Sequence, residues 1–196
     1  MSFNLGTVMQ LFADTVREPA TMAARIKAQR APHDVGWSVL GVATIGIVLL
    51  LHLERLLPGS SAQVTGMGGA PFLDAVVLGA MTVLMVFVFY SAGRSLGGDG
   101  SFGATLALMA WFQCVVLILV VAQVLIGLVM PPIAGLFAIF SFVLQVYILL
   151  HFMSVLHSYN SLAKAAGLLV VSIIGLGFGL AVIVVLIGGV AVAGGV

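Results

Sequence analysis

Charged residues are scarce in this chain. Only 7% of its 196 residues are Asp, Glu, Lys or Arg, and 62% are hydrophobic, whereas a soluble domain carries roughly 25% charged residues. So few polar side chains cannot cover the outside of a fold in water. We therefore expect one domain whose surroundings are the hydrocarbon of a membrane.

Other absences disfavour whole functional classes. The single cysteine, Cys114, cannot form an intrachain disulfide, and a net charge of +1 with scattered basic residues predicts no nucleic-acid partner. Two metal ligands on one helix face the same way when they lie three or four residues apart. His52 and Glu54 lie two residues apart and His151 and His157 lie six apart, so neither pair has this spacing. No hydrolase elbow or phosphate loop occurs. The sequence therefore predicts no enzyme, no cofactor and no metal site.

Long apolar runs dominate the rest of the chain. A helix needs about 20 apolar residues to cross a bilayer core, and five runs reach that length: 37–57, 72–93, 105–129, 133–156 and 165–192. They do not alternate strictly, and helices satisfy their backbone within each span, so a transmembrane barrel is disfavoured. We expect an all-α integral membrane protein with five transmembrane helices in residues 35–196.

Residues 1–34 form a distinct N-terminal part. Apolar residues recur at helical spacing before Pro19, at Leu5, Val8, Met9, Phe12 and Val16. A second helix beginning at Pro19 would place Arg25 and Lys27 beside Met22. This predicts one or two amphipathic helices lying on the cytosolic membrane surface, with basic side chains facing anionic headgroups. The alternative is that these helices pack against the bundle.

The basic residues predict the orientation. If the chain crosses five times, six of the seven basic residues fall on one side: Arg17, Arg25, Lys27, Arg30, Arg94 and Lys164. Only Arg55 lies near the opposite side. Because basic residues favour the cytosolic side, we expect a cytosolic N-terminus and a C-terminus outside the cell.

Polar residues within the spans are few. Glu54 and Arg55 close the first span and Asp74 opens the second, which predicts an ion pair at the outer face. Mid-membrane positions are explained by hydrogen bonds between helices, with a solute path as the alternative: Gln113, Gln123, Ser141, Gln145 and Tyr147. The Gly175, Gly177 and Gly179 run predicts close packing of the last helix.

The gap between the second and third spans has the densest polar sequence, from Arg94 to Leu106. Gly97, Gly98 and Gly100 allow a tight turn with positive φ, and Asp99 or Ser101 can cap the third span. With the short polar link before the last span, this gap supplies the candidate partner-binding residues: Arg94, Asp99, Gly100, Ser101, Phe102 and Lys164.

This gap resembles the signature of the Yip family, membrane proteins named as Ypt/Rab-interacting proteins. Its bacterial members have a similar Gly-Gly-x-Gly-Ser-Phe turn followed by Thr-Leu, as at Gly97 to Leu106, and the phrase Leu11-Phe12-Ala13-Asp14 with Pro19 soon after is also similar. The resemblance implies a non-enzymatic membrane protein that acts in trafficking or membrane shaping through partners. The Asp-Leu-Tyr/Trp-Gly-Pro phrase of eukaryotic members is absent, so Rab-type GTPases are not expected as partners.

Taken with the resemblance, these observations predict a scaffold or accessory protein of a bacterial inner membrane. We expect it to contact membrane lipids and to bind a membrane-protein partner or a second copy of itself. The alternative function is transport of a small solute or a lipid.

Overall fold

The described part of the chain consists of α-helices and the turns between them. The computed structural model describes residues 4–29, 32–56, 71–159 and 161–193, with side chains of the last helix described to Phe178. In these residues the helices are α1 (Leu5–Arg17), α2 (Pro19–Gln29), α3 (His33–Arg55), α4 (Pro71–Ser95), α5 (Phe102–Val129), α6 (Pro131–Leu156) and α7 (Leu162–Ala193). Arg30 and most of the predicted loop between the first two spans lie outside the described residues.

Among the described residues, four helices are long and apolar enough to cross a membrane: α3, α4, α5 and α6. The part of α7 with described side chains, Leu162–Phe178, is apolar but shorter. The all-helical fold is therefore confirmed, four of the predicted spans are confirmed as long apolar helices, and the five crossings stay a prediction. Helix bounds differ from the apolar runs by up to four residues, because polar residues such as His33 and Asp34 join the first turn of α3.

Helix starts follow from local chemistry. The side chain of Asn4 accepts a hydrogen bond from the backbone N–H of Gly6 at 3.0 Å and caps α1. Proline begins α2, α4 and α6, where its missing N–H is not needed and its fixed φ suits a helix. The predicted break between the two N-terminal helices is confirmed at Glu18.

Among the described helices, α3 and α5 share the most extensive contact. A Cβ placed on Gly36 would lie 2.9 Å from the side chain of Leu106, and one on Gly46 would lie 3.2 Å from that of Leu117. The hydrogen bonds Gln113–Thr44 and Gln123–Glu54 both join residues 69 apart. This constant offset means that α3 and α5 run parallel in one register, with glycine allowing the close approach.

The N-terminal helices pack on the bundle. Met22 and Ala23 of α2 are buried, at 6% and 0% exposed, and α2 lies against α5 and α6. Thr15 of α1 accepts a hydrogen bond from the indole N–H of Trp111 at 3.0 Å. The packed arrangement is therefore observed, while contact of α1 and α2 with lipid stays a prediction.

The best-buried core lies toward one end of the bundle. Its large side chains come from the last turns of α4 and α6 and the first turns of α5 and α7, and include Phe89, Leu106, Phe152, Leu156 and Leu168. We call this the basic end; it carries α1, α2 and the segments 94–103 and 157–164. The opposite end, where α3 and α5 finish and α4 and α6 begin, is called the far end.

The glycines of the last helix do not pack as predicted. No atom lies within 4 Å of a Cβ built on Gly175 or Gly177, so the expectation of close packing was wrong at these two positions within the described structure. Gly179 lies beyond the described side chains. The spacing of glycines in the sequence does not determine which of them faces a neighbouring helix.

Candidate functional site

The glycine-rich gap at the basic end begins as a C-terminal helix cap. Gly97 has a φ of 82°, and its N–H bonds the carbonyl of Arg94 at 3.0 Å while the N–H of Gly98 bonds that of Gly93 at 2.9 Å. These two bonds are the pattern of a Schellman cap, in which a left-handed residue turns the chain off the helix. Positive φ was predicted for Gly98 and Gly100 as well, but only Gly97 has it among the described glycines.

Gly98 and Gly100 instead make room for one side chain, His157. A Cβ on Gly98 would lie 2.6 Å from the His157 side chain and one on Gly100 would lie 2.8 Å from its ring. A Cβ on Gly93 would overlap the same ring. These glycines are required by packing and not by backbone conformation, since real Cβ atoms do not approach so closely. His157, predicted to belong to a polar link, is only 2% exposed.

Hydrogen bonds fix the His157 ring against α4. Its Nε2 lies 3.1 Å from the carbonyl oxygen of Phe89 and donates to it. Tyr159 stacks on the ring at 5.5 Å and donates its hydroxyl to the carbonyl of Gly93 at 2.8 Å. Burial lowers the pKa of His157 and outweighs the bond to Phe89, which acts in the opposite direction. The ring is therefore neutral at pH 7, and its buried Nδ1 has no hydrogen-bond partner in the described structure.

Lys27 of α2 binds the end of α6 beside His157. We call the contacts made here by Lys27, Asp99, His157 and the three glycines the basic-end junction. The Lys27 ammonium donates to the carbonyls of Val155 and Leu156 at 3.1 and 2.9 Å and to the hydroxyl of Ser158 at 3.2 Å. A cation at a helix C-terminus satisfies open carbonyls and opposes the negative end of the helix dipole. Lys27 was predicted to face lipid headgroups; it binds protein carbonyls instead.

Asp99 completes the same network. The hydroxyl of Ser158, a residue with a left-handed φ of 53°, donates to Asp99 at 3.0 Å, and Lys27 lies 3.7 Å from the carboxylate. The bond from Ser158 is the largest cause that holds the pKa of Asp99 below its usual value, and Lys27 acts in the same direction. The α2 helix, the gap before α5 and the turn after α6 are thus joined at one point.

The other predicted site residues divide into internal and exposed ones. Ser101 caps α5 by accepting a hydrogen bond from the N–H of Ala104 at 3.3 Å, as predicted for either Asp99 or Ser101. Phe102 lies in an aromatic cluster, 5.3 Å from Phe87 and 6.3 Å from Trp37.

Arg94 and Lys164 are both exposed. The Arg94 guanidinium lies over the Tyr90 ring and donates to its hydroxyl at 3.2 Å. Lys164, in the first turn of α7, lines a shallow groove with Leu96, Gly167 and Val171. The predicted residues therefore divide into two exposed basic side chains, Arg94 and Lys164, and four residues whose contacts lie within the fold.

A second polar cluster lies at the far end. Asp74, 2% exposed, is 3.3 Å from His52 and 3.8 Å from Arg55 across the α3–α4 contact. The amide of Gln123 donates to Glu54 at 3.5 Å across the α3–α5 contact. The predicted pair of Arg55 with Asp74 is therefore present, whereas Glu54 turns to α5. The contact of His52 with Asp74 was not predicted, although His52 lies three residues before Arg55 on the same face of α3.

Within the described residues, no group of three His, Cys, Asp or Glu side chains could hold a metal ion. The polar contacts described at both ends are hydrogen bonds and ion pairs. A family model described as the Yip1 domain matches residues 13–195 of the chain. No curated protein and no solved structure matches it.

Proposed function

This chain belongs to the Yip1 domain family and is a multi-pass integral membrane protein, and from that premise we propose that it is a non-enzymatic scaffold or accessory protein. In this proposal it resides in a bacterial inner membrane and acts through lateral protein partners at its basic end. The basic end faces the cytosol, as the positive-inside rule predicts, and α7 completes a fifth crossing.

The observation that supports this proposal is that the basic end has two kinds of polar residue, those bonded within the fold and those exposed on its surface. Lys27, Asp99 and His157 make hydrogen bonds within the fold that join helix ends. Beside them an exposed rim combines apolar and basic side chains: Arg94, Leu96, Leu162 and Lys164, with Leu96 and Leu162 at 44% and 48% exposed. A rigid platform with an exposed mixed rim suits docking of another protein, because little ordering is needed on binding.

The polar residues between helices favour this function over transport. Gln113 donates to Thr44 at 3.3 Å and Gln123 to Glu54 at 3.5 Å. These two amides are therefore used in contacts between helices. A solute path would instead need polar groups directed at a common channel.

Site-specific photocrosslinking in cells tests the proposal. A photoreactive residue at Leu96 or Leu162 should yield a protein adduct of defined mass, and the matched control is Leu56, 80% exposed at the far end. The double substitution R94Q/K164Q should reduce the adduct at Leu162. If Leu96 and Leu162 capture only lipid, or the same proteins as Leu56, the basic end is not a docking surface.

Reporter fusions test the orientation separately. We expect a cytosolic reporter to be active at the N-terminus and inactive at the C-terminus. Activity at both termini would exclude the fifth crossing.

A further inference from the structure

Helices α3 and α4 touch at both ends but separate between them. At the basic end Trp37 lies 6.5 Å from Phe87, and at the far end Asp74 meets His52 and Arg55. Between these contacts is a crevice of about 250 Å³, with Trp37 at one end and Gly41 and Gly79 among its lining residues. Its rim residues Ile45 and Val83 are 54% and 37% exposed, so it opens sideways into the surrounding lipid.

The lining of the crevice is mostly apolar. Its two threonines, Thr44 and Thr82, donate their hydroxyls to the carbonyls of Leu40 and Leu78 on their own helices, at 2.8 and 2.7 Å. The remaining lining residues are apolar or glycine. Apart from the backbone of their own helices, no atom of the described residues lies within 4 Å of a Cβ built on Gly41 or Gly79. The site therefore suits a hydrocarbon chain.

The length and position of the crevice suit an acyl chain. Trp37 and Ile45 lie eight residues apart, which is about 12 Å along α3. The crevice is apolar and opens sideways into the surrounding lipid, between Ile45 of α3 and Val83 of α4. An acyl chain of the membrane is therefore the occupant that reaches it directly.

Amphipathic and basic side chains lead from the crevice to the basic end. The ring centroid of Phe102 lies 6.3 Å from that of Trp37 and 5.6 Å from that of Tyr90. The guanidinium carbon of Arg94 lies 5.7 Å from the centroid of the Tyr90 ring. Tryptophan and tyrosine favour the depth of lipid headgroups. The exposed guanidinium of Arg94 can form a bidentate pair with a phosphate. An anionic lipid thus meets a complementary charge at the mouth of this path.

The depth of the crevice agrees with such a ligand. Val83 lies 11 residues before Arg94, or roughly 16 Å along α4, and Gly79 lies roughly 22 Å away. Half of a bilayer core is about 15 Å thick. A phosphate held at Arg94 would therefore place the end of its own acyl chain in the crevice.

We propose that the α3–α4 crevice binds one acyl chain of an anionic phospholipid whose phosphate is held by Arg94. This site does not depend on the proposed docking of a protein partner at the basic end. It adds a specific lipid to the general solvation of the bundle.

Native mass spectrometry of the full chain, purified in mild detergent with phosphatidylglycerol or phosphatidylethanolamine, tests the proposal. We expect one retained lipid, with phosphatidylglycerol preferred. G79L should remove it by filling the crevice, and the matched control G135L, at a glycine on α6 that is equally open, should retain it. R94Q should lower the preference about five-fold, one basic residue's contribution at an anionic surface, whereas K164Q should not.

Fluorescence supplies a second measurement. In a W111F background, a lipid brominated near the end of its acyl chain should quench Trp37, and G79L should reduce the quenching. The proposal is overturned if G79L and G135L retain lipid equally, which would mean ordinary solvating lipid. It is also overturned if G79L abolishes a dimer in place of a bound lipid, which would assign the crevice to a second copy.

Discussion

Glycine serves opposite purposes in two regions of this molecule. At the basic-end junction, Gly93, Gly98 and Gly100 lie against the ring of His157, and no side chain could replace their hydrogens. In the α3–α4 crevice, Gly41 and Gly79 face open space. The same residue type therefore closes one region and leaves the other open. The junction is a fixed part of the fold, whereas the crevice is available to a ligand.

The largest effect is expected at the closed glycines. G93A would place a methyl group within the His157 ring and should destabilise the protein by about 3 kcal/mol, at the upper end of the range for overpacking. Thermal unfolding in detergent would measure the loss. Combining G93A with H157A should recover part of it, because residues in direct contact are not additive. Additive losses would show that the ring does not set the requirement for glycine.

Removing Lys27 should have the next largest effect. K27M leaves the carbonyls of Val155 and Leu156 and the Asp99 carboxylate without their cation, and we expect a loss of about 2 kcal/mol, typical of hydrogen bonds to a charged group. K164M, at the exposed lysine of the same end, is the control and should change stability by less than about 0.5 kcal/mol. Equal losses in K27M and K164M would contradict a specific role for Lys27.

A smaller effect is expected from pH. The folded protein lowers the pKa of His157 by burial, so below the ordinary value of about 6.5 the unfolded chain binds a proton that the folded chain does not. Stability should therefore be constant above about pH 6.5 and fall as the pH drops below it.

Unfolding scans between pH 5 and 8 would measure this slope. H157Q should flatten it, whereas H33Q, at an exposed histidine, should keep it. A slope unchanged in H157Q would assign the titration to another group. Asp99, whose pKa is also lowered, contributes only at pH below about 4.

The smallest effect is expected at the open glycines. G79A adds a methyl group to open space and gains helix propensity, so it should leave stability unchanged or raise it by up to about 1 kcal/mol. Thermal unfolding beside G93A would compare the two regions directly. A loss in G79A comparable to that in G93A would mean that the crevice is closed in solution and would remove the basis of this comparison.

Helix positions were largely predictable because they depend on local quantities. The apolar run 105–129 predicted α5 to within three residues, and Pro19 marked the start of α2. The cap by Ser101 was also predictable, since it depends on a residue three positions away. These features follow from hydropathy, proline geometry and capping over a few residues.

The contents of the candidate site were less predictable. His157 lies in a polar stretch and was expected to belong to a loop, but it is buried against α4 through a contact 68 residues away. Lys27 was expected to face lipid, and its acceptors lie 128 and 129 residues along the chain. No local pattern distinguishes a lysine that meets a headgroup from one that meets a helix end, because both are cations at the same depth.

The sequence by itself determined a helical membrane protein, the approximate bounds of its apolar helices and the gathering of basic residues near one end. The reason is that hydrocarbon excludes charge and unpaired backbone whatever the tertiary contacts. Only the tertiary structure decided which glycines meet a ring and which face a crevice. That distinction depends on how far neighbouring helices stand apart, and this distance is set by side chains distant in the sequence.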